Sequence, residues 1–94
     1  MEKESSAVMA IEESDLLSVL QVIRREYDLA KQKHPSFPCD LADCVSIITE
    51  ELGELAKERN DGAEGWRERA LTEAAHVAVT ALRTMQVLME ACGK

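Results

Sequence analysis

Apolar residues recur at intervals of three and four positions along three separate segments of this 94-residue chain. This is the period of an α-helix with one apolar face, and no segment shows the apolar–polar alternation of a half-buried strand. Between the first two segments, Pro35 and Pro38 each lack a backbone donor and bias the preceding residue away from helical geometry. The pattern therefore predicts an all-α fold, a bundle of three main helices joined by short links.

Local residue chemistry indicates where these helices begin and end. The first is predicted to begin near Ser14 and Asp15, because short polar side chains favour helix N-termini. The second is predicted to end around Asn60 and Gly62, which favour the left-handed backbone that terminates a helix. The third is predicted to run from 66 to about 91.

Each predicted helix carries one apolar stripe. The stripes are Leu16, Val19, Leu20, Ile23, Tyr27 and Ala30 on the first helix, Leu41, Val45, Ile48, Leu52 and Leu55 on the second, and Leu71, Ala74, Ala78, Ala81, Leu82, Met85 and Met89 on the third. A chain this small buries a low fraction of its surface, so we expect a homodimer or homotetramer that completes the bundle. Residues 1–12, rich in Glu and Ser, are expected to form a flexible lead-in, and residues 13–94 one helical domain.

The composition excludes several classes of partner. The net charge is -7 and the 11 basic residues are scattered, whereas nucleic-acid polymers bind through clustered Lys and Arg. No apolar run approaches the roughly 18 residues of a membrane span, and the N-terminus lacks a signal-peptide pattern. We therefore expect no nucleic-acid or membrane partner and a cytoplasmic location. The three cysteines lack a CxxC spacing and are expected to be reduced thiols.

Acidic residues are concentrated on the second helix, in the stretch TEELGELAKERNDG. At about 100° per residue, placing Glu50 at 0° puts Glu54 near 40° and Glu51 near 100°, with the apolar stripe centred near 180°. Glu51 and Glu54 therefore flank the stripe, and Glu50 lies farther out. In an antiparallel hairpin of the second and third helices, Glu51 and Glu54 would approach Glu73 and His76.

Such a gathering of acids predicts a divalent cation. Like charges one turn apart repel each other on a helix, and a bound cation removes that cost. Oxygen ligands in this number suit Mg²⁺, with Mn²⁺ as the alternative. A solvated acidic helix face explains the same spacing without any metal, because Glu is a good helix former and common on surfaces.

The motif EELGEL at 50–55, followed by ExxH at 73–76, resembles the MazG-like superfamily of all-α nucleoside triphosphate pyrophosphohydrolases. The family pattern is ExxE, a gap between helices, and ExxD. Here Glu51 and Glu54 form ExxE, Glu73 begins the second half, and His76 stands where the family has Asp. The resemblance implies a metal-dependent enzyme that hydrolyses a nucleoside triphosphate to a monophosphate and pyrophosphate, in clearance of the nucleotide pool.

Roles for the acids follow from this resemblance. It implies that Glu51, Glu54 and Glu73 are metal ligands, with His76 at the fourth position. Glu50 and Glu51 are the candidate catalytic bases. Imidazole is a weaker ligand for Mg²⁺ than carboxylate is, so His76 leaves both the metal and the activity open.

Four further residues are candidates for binding the substrate. Phe37 and Trp66 can stack on a base, although aromatic rings also serve in packing. Lys57 and Arg83 can contact phosphates, although such cations are commonly solvated. The base and the sugar are not specified by these residues.

Two other classes of function fit the same residues. A non-catalytic nucleotide-binding or helical interaction module would use an apolar stripe as a partner surface and the acids for solubility. A di-iron carboxylate bundle would use Glu73-x-x-His76, because ExxH is the spacing of ligands in ferritin-like proteins.

Overall fold

The computed structural model describes residues 8–90 and contains three α-helices, in agreement with the predicted all-α class. They are α1 (Glu13–Lys33), α2 (Leu41–Asp61) and α3 (Trp66–Met89). The predicted lead-in is described only from residue 8 onward, and residues 8–12 have no regular secondary structure. The predicted last residues of the third helix lie partly outside the described residues.

Capping residues explain these boundaries. Glu12 is the N-cap of α1, and its backbone N–H donates to the Asp15 carboxylate at 3.3 Å, so the helix begins slightly before the predicted position. Asp40 caps α2 by accepting from the backbone N–H of Ala42 at 3.2 Å. Gly62 ends α2 with a φ of 60°, a left-handed conformation that costs glycine little.

Helix α3 lies between the other two helices. With α2 it forms an antiparallel hairpin, closed by a salt bridge of 2.9 Å between Arg69 Nε and Glu58 Oε1. On its other side it packs against α1, where the Gln86 amide donates to the Tyr27 hydroxyl at 3.0 Å. Among the described residues, α1 and α2 make no direct helix contact. Side chains from all three helices can therefore meet only around α3.

The predicted apolar stripes do not form the interior of the single chain. The residues buried between the helices are Cys44, Ala75, Val79, Arg83 and Thr84. The large stripe residues with the highest exposed fractions on α2 and α3 are Leu41 (51%), Leu52 (53%), Leu71 (53%), Met85 (60%) and Met89 (81%). Helix α2 contacts α3 through the face beside its apolar stripe, and this face carries Cys44 and Glu51. The most apolar faces of the hairpin are thus left half exposed.

The cysteines differ from each other in state. Cys39 is disulfide-bonded, so the prediction of a reduced thiol is wrong at this position. Cys44 is a free thiol, fully buried, and its sulfur donates to the Pro38 carbonyl at 3.3 Å. Cys92 lies outside the described residues. Within residues 8–90, no helix is long and apolar enough to cross a membrane.

Candidate metal centre

The helix hairpin brings together Glu51 of α2 with Glu73 and His76 of α3. Each offers one ligand atom, and these atoms all lie within 4.8 Å of one another. His76 Nδ1 lies 3.3 Å from Glu73 Oε1 and 3.6 Å from Glu51 Oε1. Two carboxylates and an imidazole at this separation can share one divalent cation. We refer to these three residues as the acid–histidine cluster.

The pKa of Glu51 indicates that the negative charges around the cluster are not fully neutralised by His76. Burial raises the pKa of the Glu51 carboxyl above its usual range, and His76 opposes this shift. The negative charges of Glu73, Glu50 and Glu54 raise the pKa further. Ionisation of Glu51 is therefore less favourable in the chain alone than for a carboxyl in water, and a cation at the cluster would favour it.

Helix α1 adds an acid that the sequence did not point out. Glu26 Oε1 lies 3.0 Å from His76 Nε2, and the Glu26 side chain is only 12% exposed. A signal was present, because Glu26 lies three residues after Ile23 and four before Ala30, within the apolar stripe of α1. An acid on that face must have a partner, which only the packing of α1 on α3 could identify.

The other predicted acids lie at the edge of this arrangement. Glu50 is exposed and lines the cleft next to the cluster. Glu54 is exposed and does not belong to the three-residue group, although its charge acts on Glu51. The structure thus brings together three of the four predicted metal ligands.

A cleft of about 740 Å³ extends from the cluster along α3. It is lined by Glu51 and His76, and farther along by Phe37 and Arg83. Arg83 follows His76 by seven residues, which is about 10 Å along a helix. The volume falls in the range of small-molecule sites. Acidic and cationic groups therefore line the same cleft at different positions along α3.

Arg83 is the buried cation of this cleft, at 6% exposed, whereas Lys33, which also lines it, is exposed. Its Nη2 donates to the His34 carbonyl at 2.9 Å, and its guanidinium carbon lies 4.8 Å from the centroid of the Phe37 ring. Within residues 8–90 no carboxylate forms a salt bridge with it. Because buried charges are normally paired, this guanidinium is suited to an anionic ligand.

Two predicted substrate-binding residues are placed elsewhere. Lys57 is exposed and does not line the cleft. Trp66 begins α3 at the opposite end of the hairpin, where its ring lies 5.0 Å from the guanidinium carbon of Arg67. Phe37 and Arg83 are therefore the two predicted substrate-binding residues that the fold brings to the cleft.

Comparison of the chain with protein-family models, with curated proteins and with solved structures finds no match. The MazG-like resemblance therefore stays a prediction. The case for a metal centre depends on the geometry described above.

Proposed function

We propose that this protein is a metal-dependent nucleoside triphosphate pyrophosphohydrolase that releases a nucleoside monophosphate and pyrophosphate. The observation that carries the proposal is one cleft lined both by Glu51 and His76 of the acid–histidine cluster and by buried Arg83 beside Phe37. A nucleotide with its divalent cation needs these complementary groups together. An acidic surface face alone would not place a buried arginine in the same cleft.

The residues present fit a divalent cation, Mg²⁺ or Mn²⁺, as cofactor. Glu51 and Glu73 supply hard oxygen atoms and His76 supplies a nitrogen. When bound, the cation supplies charge neutralisation of the polyphosphate and polarisation of a phosphoryl oxygen. Glu54 acts on this site through its charge, which raises the pKa of Glu51.

The chain's own side chains supply the remaining chemistry. Glu50 lines the cleft without a described hydrogen bond, so it can accept a proton from the attacking water. Glu51 is the second candidate base, because its carboxylate lines the cleft as a member of the cluster. Arg83 donates to a phosphate oxygen, and Phe37 offers its ring to the base.

The proposal includes assembly with a second copy of the chain, as a homodimer or homotetramer. Supporting it, the stripes of α2 and α3 are half exposed in the single chain, and no described residue of α1 is buried. Exposed apolar surface of this extent is typical of interaction sites. A partner helix packed on the α3 stripe would complete a four-helix arrangement.

A non-catalytic nucleotide-binding or helical interaction module is the second candidate, favoured by the same exposed stripes. The di-iron hypothesis is less supported, because a ferritin-like site takes an ExxH motif from each of two helices. The chain has two histidines, and His34 follows Lys31 rather than an acid at that spacing. A second ExxH would have to come from another copy.

The test is the release of pyrophosphate and nucleoside monophosphate from a panel of ribo- and deoxyribonucleoside triphosphates, with Mg²⁺ or Mn²⁺. We expect turnover with at least one triphosphate and none in EDTA. A protein that cleaves none, and whose melting temperature responds to neither cation nor nucleotide, would be an interaction module. Nucleotide-dependent stabilisation without cleavage would identify a nucleotide-binding module.

Replacing Arg83 by Gln is expected to raise the KM for the triphosphate by about 10- to 100-fold, the cost of one charge-assisted hydrogen bond. The matched variant is Lys57→Gln, which removes an exposed cation outside the cleft and should change KM by less than about twofold. Steady-state kinetics of both variants checks this difference. Equal effects of the two substitutions would show that general charge, not the cleft, attracts the substrate.

A further inference from the structure

The imidazole of His76 lies between carboxylates on both of its edges. On one edge, Nε2 faces Glu26 of α1 at 3.0 Å. On the other edge, Nδ1 faces Glu73 at 3.3 Å and Glu51 at 3.6 Å. The ring therefore bridges α1 to the acid–histidine cluster, and its two nitrogens have different partners.

The partner of Nε2 decides what Nδ1 can do. Carboxylates face both ring nitrogens, and Glu26 is the nearer, at 3.0 Å from Nε2 against 3.3 Å from Nδ1 to Glu73. A cation held by Glu51, Glu73 and His76 would need the lone pair of Nδ1, and the one N–H of the neutral ring would then be on Nε2, donated to Glu26. In metal centres, ligating histidines commonly donate their other N–H to a carboxylate in this way.

The location of Glu26 argues against a purely incidental contact. Its side chain is 12% exposed and lies on a helix face shared with apolar residues. Removing a carboxylate from water is costly there, and the pair with Arg25, whose Nε lies 3.6 Å from Glu26 Oε2, offsets little of that cost because the Arg25 side chain is 65% exposed. An apolar residue would pack on α3 without that cost. An apolar residue at position 26 could not, however, accept a hydrogen bond from His76.

We propose that Glu26 is the positioning residue of the metal centre, and that it makes the centre prefer a first-row transition-metal ion such as Mn²⁺ over Mg²⁺. The proposal rests on the cation site of the proposed function. Glu26 holds the ring with Nδ1 available as the ligand, and an imidazole ligand suits transition metals better than Mg²⁺. Glu26 itself stays out of the coordination shell.

The first experiment measures cation affinity by titration calorimetry for the wild type, Glu26→Gln and Glu26→Leu. We expect Glu26→Leu to weaken Mn²⁺ binding by about 10- to 100-fold, the usual cost of removing such an outer partner. Mg²⁺ affinity should change by less than about threefold. Glu26→Gln keeps a carbonyl acceptor for Nε2 and should retain most of the Mn²⁺ affinity.

A control separates positioning from stability. Glu58 is a comparable carboxylate, 19% exposed, which pairs with Arg69 across the hairpin and does not belong to the cluster. Glu58→Leu should lower the melting temperature without changing the ratio of Mn²⁺ to Mg²⁺ affinity. If Glu26→Leu weakened the affinities for Mn²⁺ and Mg²⁺ by the same factor, the proposed preference would be overturned.

The second experiment observes the ring directly, by long-range ¹H–¹⁵N NMR with diamagnetic Zn²⁺ as the probe. His76→Gln assigns the signals, because the chain has only two histidines. With Zn²⁺ bound, we expect the ring to coordinate through Nδ1 and to carry its proton on Nε2, and we expect Glu26→Leu to lose this single-tautomer pattern. Coordination through Nε2 would overturn the proposal.

These measurements distinguish the two proposals from each other. Cation binding with the expected tautomer, but no cleavage of any triphosphate, would support the role of Glu26 and contradict the hydrolase function. Turnover by the wild type, with unchanged cation preference in Glu26→Leu, would support the hydrolase function and contradict the role of Glu26. A wild type that binds no divalent cation would contradict both.

Discussion

Glu51→Gln is expected to lower pyrophosphate release by more than about 100-fold, because outer-shell partners of metal ligands already account for about 10- to 100-fold. Glu51 offers its oxygen to the same point as Glu73 and His76. Glutamine keeps the size of the side chain and removes its charge. Cation titration and single-turnover product release would check the loss at the binding and chemical steps separately.

The same substitution is expected to stabilise the cation-free fold at neutral pH. Burial raises the pKa of Glu51 above its ordinary value near 4.5, so the folded chain binds this proton more tightly than the unfolded chain does. That contribution is fully present below the ordinary value and is lost as the pH rises through the raised one. At pH 7 the ionised group therefore disfavours folding, and glutamine, which carries no charge, relieves this cost.

Thermal unfolding in EDTA at pH 4 and pH 7 tests that sign. Glu51→Gln should melt above the wild type at pH 7, and the difference should shrink at pH 4. A variant that loses activity while gaining stability cannot be inactive through misfolding. Retained turnover in Glu51→Gln would contradict the proposed site.

Glu54→Gln is the matched control for this substitution, because it removes a carboxylate from the same helix one turn away. Glu54 is exposed and outside the three-residue cluster, so we expect a loss of less than about tenfold. Equal losses in both variants would show that Glu54 is a direct ligand after all, as the family resemblance implied.

Leu71→Glu is expected to convert the proposed homodimer or homotetramer to a monomer. Leu71 is 53% exposed in the single chain, so a charge there should alter the monomer's stability by no more than about 0.5 kcal/mol. In an interface through the α3 stripe, the same carboxylate would be buried without a partner. The association constant should then fall by at least about 100-fold.

Sedimentation velocity over a range of concentrations measures this effect. Lys57→Gln is the matched control, because it changes the net charge by the same amount at an exposed position off the stripes. It should sediment as the wild type does. A wild type that is monomeric at every concentration would contradict the proposed assembly and favour a different partner for the exposed stripes.

The proximity of residues in the candidate site could be predicted where it depended on positions along one helix. Glu73 and His76 are three residues apart, so any helix places them on neighbouring positions of one face. Their meeting with Glu51 followed from the short link after Gly62, which favours an antiparallel hairpin. The prediction did not extend to Glu26, whose partner is fifty residues away in sequence.

The faces used in packing could not be predicted in the same way. On α3 the buried residues are not those of the apolar stripe: Ala75 and Val79 are buried, while Leu71 and Met85 are exposed. Periodicity identifies the most apolar face of a helix but not the partner that covers it. In this chain α3 packs against α2 through the face beside its apolar stripe.

The sequence by itself determined the three helices and their ends, because helical period, proline and glycine geometry and capping all act within a few residues. The tertiary structure alone decided that Glu26 reaches His76, that Arg83 is buried beside Phe37, and that Lys57 and Trp66 lie away from the cleft. These outcomes depend on how helices cross and on which faces meet, which are set by contacts between residues far apart in the chain.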